Sequence, residues 1–262
     1  DADSEGVEGK FFVWRPEEVI EVLGQEDGET VNRYYGVTKR GNFEGHSILN
    51  VKTDPALFAR DSKLGEVEFA ALLENSRGRL LDAREPRVHP ERDDKVLTAW
   101  NGLTLAVFAE AGAVLVRDDY TAAAERNAAF VLRSLREDGR LLRTWKDGRA
   151  GLKGYLEDYA FLINGLLVLH EATMRGIWLR EAIDLGDEMV ELFWDEGSGQ
   201  FYDTGADHER LLLRPRDIQD NAIPSGSSMA ADVLLRLATI TGDKDLERRA
   251  VTALRAAARL MA

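Results

Sequence analysis

Three times along the chain a polar cluster runs into a long apolar stretch of helical period, followed by a turn, a second helix and a Gly-rich link. The apolar stretches cover about 95–116, 156–173 and 225–241. Leu97, Trp100, Leu103, Leu105, Val107, Phe108 and Val114 leave the first apolar almost all round, the pattern of an inner, buried helix. Its partner, about 119–137, carries Arg126, Arg133 and Arg136, so one face meets water. Asp118-Asp119 predicts the break between the two and the cap of the second. The later partners are Trp178–Phe193 and a helix capped by Asp243 and rich in Arg248, Arg249 and Arg255. Short strands are predicted between hairpins, after the Asp138-Gly139 turn, around Lys146-Asp147-Gly148, and at Gly197–Tyr202.

The first third is less regular. Lys10–Trp14 predicts a short strand. Arg15-Pro16-Glu17-Glu18 opens a helix that Leu23-Gly24 closes, because Pro suits a first turn and acids suit its positive end. Residues 32–54 are expected to be irregular, 65–83 helical, and 84–92 a proline-bounded link.

The inner-helix starts near 95, 156 and 225 lie roughly 60 to 70 residues apart. Inner apolar helices alternating with outer amphipathic ones predict an α/α toroid, with the strands as small β-hairpins on one rim. A plain α-solenoid competes, but its repeats run shorter, about 34 to 47 residues. A six-hairpin ring takes two helices per hairpin, and the pattern supplies about eight helices in all. The expectation is therefore an all-α, incomplete (α/α)6 toroid, residues 1–262 forming a single domain. An opening at Asp1 without Met and an end at Ala262 inside an amphipathic helix predict a piece of a longer protein.

A net charge of −13 with no basic stripe argues against nucleic acid as a partner. No apolar run approaches the roughly 20 residues that span a bilayer, so no membrane partner is expected. With no cysteine, thiol redox chemistry, Cys-based metal sites and disulfides are excluded within the chain, which fits a cytoplasmic protein. His46, His89, His170 and His208 are scattered, with no HExxH pattern, no EF-hand spacing and no phosphate-binding Gly loop, so neither metal nor cofactor is expected.

Chemistry concentrates at the inner-helix starts. Asp93-Asp94-Lys95 precedes the first, with Trp100 and Asn101 one to two turns on. Glu157-Asp158-Tyr159 opens the second, and Asp220-Asn221 with Pro224-Ser225-Gly226 the third. Acids and Ser at these places also serve as caps and dipole partners. If the starts gather at one end of a ring, Asp94, Asp158 and Asp220 converge as candidate catalytic carboxylates. Asp93, Lys95, Trp100, Asn101, Glu157, Tyr159, Asn221 and Ser225 then stand as candidate substrate-binding residues. Glycoside chemistry uses two carboxyl groups, about 5 Å apart for retention and about 6.5–9.5 Å apart for inversion.

Five stretches in order resemble one family: Asp1–Trp14, Gly41–Gly45, Asp93–Gly102, Leu156–Ala160 and Pro224–Ser227. The family is that of thioredoxin-domain-containing proteins related to spermatogenesis-associated protein 20, the bacterial YyaL group. The resemblance implies a thioredoxin-like domain, absent from this chain, followed by a toroid similar to six-hairpin glycosidases and N-acylglucosamine 2-epimerases. The family's Pro-Ser-Gly-Asn becomes Pro-Ser-Gly-Ser227 here. The epimerase relatives use His as acid and base, and none of the four histidines falls on such a position.

Three functions follow as expectations. One is a carbohydrate-active hydrolase or isomerase with a carbohydrate ligand. The second is a sugar- or peptide-binding module without turnover. The third is a structural or interaction toroid whose partner is the thioredoxin-like domain of the same full-length protein.

Overall fold

The computed structural model describes residues 2–209 and 212–261, with the side chains of Leu260 and Met261 left aside. Asp1 and Ala262, on which the expectation of a fragment rests, lie outside the described residues. The chain divides into two compact units, Asp1–Asp93 and Asp94–Ala262.

In the first unit, β1 (Asp3–Ser4) and β2 (Val7–Glu8) form a small antiparallel hairpin ahead of α1 (Pro16–Leu23), α2 (Gln25–Tyr35), α3 (Pro55–Asp61) and α4 (Glu66–Arg84). Trp14, Val19, Val31, Tyr34, Phe69 and Leu73 make its core. Helix α1 starts at Pro16 and stops at Gly24, as the sequence predicts; Gly24 has φ +89°, open to glycine at little cost. The strand expected at 10–14 is instead a turn with one bridge, Trp14 to Ser47. Its ladder groups are already taken: the N–H groups of Phe12 and Val13 both reach the Gly9 carbonyl. Arg87 Nη1 donates to the carbonyls of Phe11 and Val13. Helix α2 runs into the stretch expected to be irregular, which therefore begins only at Gly36. Its polar opening, Gln25-Glu26-Asp27-Gly28, hides the helical period. Gly28 is the packing reason for it, since a Cβ there would lie 2.7 Å from Ile20 Cα on α1.

The second unit holds three helical hairpins. These are α5 (Thr98–Val114) with α6 (Asp118–Ser134), α7 (Leu156–Thr173) with α8 (Gly176–Phe193), and α9 (Gly226–Thr241) with α10 (Lys244–Met261). Helices α5, α7 and α9 pack side by side as an inner row, and α6, α8 and α10 back them. Two rim hairpins separate the pairs. The first centres on β5 (Arg140–Lys146), which pairs antiparallel with β3 (Val96–Leu97), β4 (Arg136–Glu137) and β6 (Arg149–Lys153). The second is β7 (Trp194–Asp195) with β8 (Gln200–Phe201). The inner row, the backing row and the rim hairpins are those of an α/α toroid. The described residues contain ten helices rather than eight, the two unforeseen ones being the polar-opening α2 and the seven-residue α3, too short to show a period.

Helix α7 is the central member. Leu156, Phe161, Leu162, Ile163, Leu166 and Leu167 are wholly buried. The close α5–α7 approach rests on two glycines, for a Cβ on Gly102 would fall 2.5 Å from the Phe161 carbonyl carbon, and one on Gly165 2.7 Å from the Gly102 oxygen. Helix α5 departs from the expected all-round burial: Trp100, Val107 and Val114 are 62%, 64% and 72% exposed. Asp118 and Asp119 sit in the first turn of α6 rather than at its cap. Arg117 takes the cap position, and its guanidinium is paired with Asp119 at 2.7 Å. No helix among the described residues is long and apolar enough to cross a membrane.

Candidate active site

The first turn of α7 gathers charge because its amides are unpaired and its positive end favours acids. Asp158 is the third residue of the helix and has no exposed surface. Its Oδ1 accepts the Ala99 N–H at 3.0 Å, which ties α7 to α5. Its Oδ2 accepts the Tyr155 N–H at 2.9 Å and Arg143 Nη1 at 3.0 Å. Burial pushes its carboxyl up to about 6, against the opposing pull of Arg143. All three bonds bind the helix start to its surroundings.

Glu157, one residue earlier, is half-buried and accepts a second bond from Arg143 Nη1 at 2.8 Å. Arg143 comes from β5 and lies over the Tyr155 ring at 4.8 Å. Asp203 follows β8. Its carbonyl accepts the Leu156 N–H at 2.9 Å, its own N–H donates to the Pro215 carbonyl at 3.0 Å, and its Oδ1 accepts the Asp217 N–H at 3.1 Å. Three hydrogen bonds, two through its backbone and one to its carboxylate, therefore hold Asp203 between the start of α7 and the 212–217 segment. Burial pushes the Asp203 carboxyl above its ordinary range, and the negative charges of Asp217 and Glu157 push it the same way. Gly226 opens α9 against α7, and a Cβ there would lie 3.1 Å from Glu157 N, so a larger residue would prise the two helix starts apart.

Arg143, Tyr155, Glu157, Asp203, Asp217 and Gly226 line one cleft of about 320 Å³, within the size range of small-molecule sites. Three carboxylates face one guanidinium, and that guanidinium is shared between Glu157 and the buried Asp158 beneath it. The arrangement places a carboxyl inclined to keep its proton, that of Asp203, in one cleft with two further carboxyl groups, the residue types that acid–base work on a glycosidic bond uses.

Of the residues singled out in the sequence, Glu157 lines this cleft and the others stand elsewhere. Asp93, Asp94 and Lys95 are exposed ahead of α5. Asn101 donates to the Leu97 carbonyl at the start of its own helix at 2.8 Å and ties α5 to α6 by accepting from Asn127 Nδ2 at 2.9 Å. Tyr159 is fully buried; its hydroxyl donates to Glu188 and accepts from Arg140 and from the Leu141 N–H. Burial raises its pKa. Asp220 accepts the Ser225 N–H at 2.8 Å, and that bond holds its carboxyl below the usual range. Ser225 caps α9 through the Ser228 N–H at 3.1 Å, while Asn221 is exposed, its N–H on the Ile223 carbonyl. Asp158 and Asp220 thus come to neighbouring helix starts as ties rather than as cleft walls.

Arg143, Tyr155, Asp203 and Asp217 were not expected. The available signal was positional: Arg143 lies on the predicted rim strand, and Asp203 directly follows the second one. Among the described residues no group of three or more His, Asp or Glu side chains is placed to hold a metal ion.

Comparison with models of known protein families finds no match. The chain is 35% identical to human spermatogenesis-associated protein 20 over 91% of its own length. It spans about a third of the length of the curated relatives it matches, 34% for the human protein. Among solved structures, cellobiose 2-epimerase from Bacillus thermoamylovorans superposes with a TM-score of 0.52 at 15% identity, covering 63% of this chain and 45% of that one. A GH76 α-mannanase from Bacteroides thetaiotaomicron gives 0.52 at 14% identity, covering 72% and 55%. At such identities these two establish the fold alone, and they agree with the two helix rows described above.

Proposed function

Because the chain is a relative of the spermatogenesis-associated protein 20 family along nearly all its length, we propose that it carries the acidic cleft of a carbohydrate-active α/α toroid. The reaction proposed is glycoside hydrolysis. Asp203 gives its proton to the leaving oxygen as the glycosidic C–O bond breaks, and Glu157 or Asp217 takes the proton of the water that adds to the sugar carbon. The observation that carries this reading is the half-buried Asp203, pushed upward by burial and by its two acidic neighbours in a cleft of ligand size. Hydrolysis is preferred to epimerisation because the lining includes no histidine, and the histidine nearest in sequence, His208, has its ring 5.2 Å from Tyr155 with Nδ1 accepting from Gly205.

The balance of charge favours a neutral or amino sugar. Arg143 is committed to Glu157 and Asp158, so a uronate or sugar phosphate would meet uncompensated negative charge. The two structural neighbours, an epimerase of cellobiose and an α-mannanase, act on sugars, which supports a carbohydrate ligand. The rest of the ring and a thioredoxin-like domain are proposed to lie in the part of the full-length protein outside this chain.

The test is a panel of neutral, amino and acidic glycosides against the wild type and Asp203→Asn. Turnover of a neutral or amino glycoside, lost in Asp203→Asn with an unchanged melting temperature, supports the proposal. Undiminished turnover in that variant sinks it. A second reading, a structural toroid serving the thioredoxin-like domain, is favoured by Asn101, Asp158, Tyr159 and Asp220, whose polar groups are spent on internal bonds. Under it, Asp203→Asn changes stability and no panel member binds.

A further inference from the structure

Two of the five stretches that carry the family resemblance, 1–14 and 41–45, take no part in the acidic cleft. Within the first unit they enclose a larger cavity of about 630 Å³, well inside the range of small-molecule sites. Its apolar lining comes from Val7, Phe11, Val13, Phe43, Pro86 and Val88. The walls are shaped by two glycine turns. Gly9 has φ +73°, and a Cβ there would stand 3.0 Å from the Phe43 ring, so the ring is seated on the bare backbone. Gly41, at φ +72°, lets the Phe43–His46 bridge close, because a side chain at 41 would strike the His46 carbonyl.

The charges around this cavity are unbalanced. Four carboxylates, those of Glu5, Glu8, Glu18 and Glu44, line it against the two permanent cations Lys10 and Arg87. Both cations are occupied. Lys10 Nζ lies 2.6 Å from Glu5. Arg87 donates to the Phe11 and Val13 carbonyls at 3.1 and 2.8 Å and stacks on Trp14 at 4.2 Å. Glu18 accepts the Arg15 N–H at 2.7 Å as part of the α1 cap. Glu8 and Glu44 have no cationic partner among the described residues. An apolar hollow with unpaired carboxylates at its wall matches a ligand with an apolar body and a positive end, to which an aromatic face adds attraction.

We propose that this cavity is a second ligand site, selective for compact apolar amines, with Phe43 as the wall for the apolar body and Glu8 and Glu44 as counter-charges for the ammonium. It is independent of the glycoside reading, because it shares no residue with the acidic cleft.

The experiment is calorimetric titration of the whole chain with 2-phenylethylamine, 2-phenylethanol and phenylacetate, which share one ring and differ in charge. Saturable binding of the amine, weaker binding of the alcohol and none of the acid is expected. The double substitution Glu8→Gln/Glu44→Gln, at two exposed positions, weakens the amine about fivefold and leaves the alcohol unchanged. Phe43→Ala weakens both; if that variant melts early, the double Gln variant decides alone. Phenylacetate binding as well as the amine, or no saturable binding up to about 10 mM, overturns the proposal.

Discussion

Replacing Asp158 by Ala separates a structural tie from a catalytic acid. The substitution removes the acceptor for two buried backbone N–H groups, those of Ala99 and Tyr155, and one of two carboxylate partners of Arg143. A buried donor left without a partner costs about 1–3 kcal/mol. Breaking a buried ion pair from one side costs about 3–5 kcal/mol, because the remaining charge is stranded. Arg143 keeps Glu157, which softens the second cost. The expected loss is therefore about 3–5 kcal/mol, read as a fall in the urea midpoint at constant slope. The pH dependence sharpens the test. The folded carboxyl sits at about 6 against an unfolded value of 3.8, so the folded state holds the proton more tightly. The stability Asp158 contributes is then full below the unfolded value and declines as pH rises through about 6. The difference between wild type and Asp158→Ala should widen as pH is lowered from about 7 towards 4. If the ion pair outweighed burial, the difference would narrow instead. A loss below about 1 kcal/mol at neutral pH would refute the assignment of Asp158 as a tie between α5 and α7.

Three further outcomes are expected. Gly102→Ala should cost about 3 kcal/mol or more, because its Cβ would meet the α7 backbone at 2.5 Å and neither helix can yield; a normal melting curve would show that the two helices are not in that contact. Tyr159→Phe should lose about 1–3 kcal/mol, chiefly through the orphaned Leu141 N–H, since Glu188 keeps Arg136 and Arg140 keeps Asp207, with ligand affinity unchanged; loss of affinity at unchanged stability would return Tyr159 to the cleft. Asp220→Ala should cost about 1 kcal/mol, the worth of the bond to the Ser225 N–H at the start of α9, and should leave any glycoside turnover intact.

The parts of this fold legible in the sequence are those governed by a period. The sequence places helix α7 at Leu156–Thr173 and it lies there, because the long, almost wholly apolar run 160–169 is bounded by polar residues at both ends. The rim strands were legible from Asp-Gly and Gly-Ser-Gly turns, which constrain φ locally. Helix α2 is not legible in the sequence because its close approach to α1 depends on Gly28, a residue that lowers helix propensity while permitting that approach. The site divides along the same line. Acids at helix starts were conspicuous, and for Asp158 and Asp220 the geometry spends them on the starts themselves, since an acid in a first turn has amides within reach. The residues that line the cleft with Glu157 come from elements without helical period. Arg143 stands on β5, and Asp203 and Asp217 on the irregular chain that follows β8. Their convergence depends on where α9 begins relative to α7, which is set by the absent side chain of Gly226 rather than by any pattern of polar and apolar positions. A carboxylate that tertiary structure carries to a cleft wall beside others, rather than one spent on its own helix start, is the better candidate for chemistry. By that criterion Asp203 is the residue to mutate before any of the three acids that open or precede the inner helices.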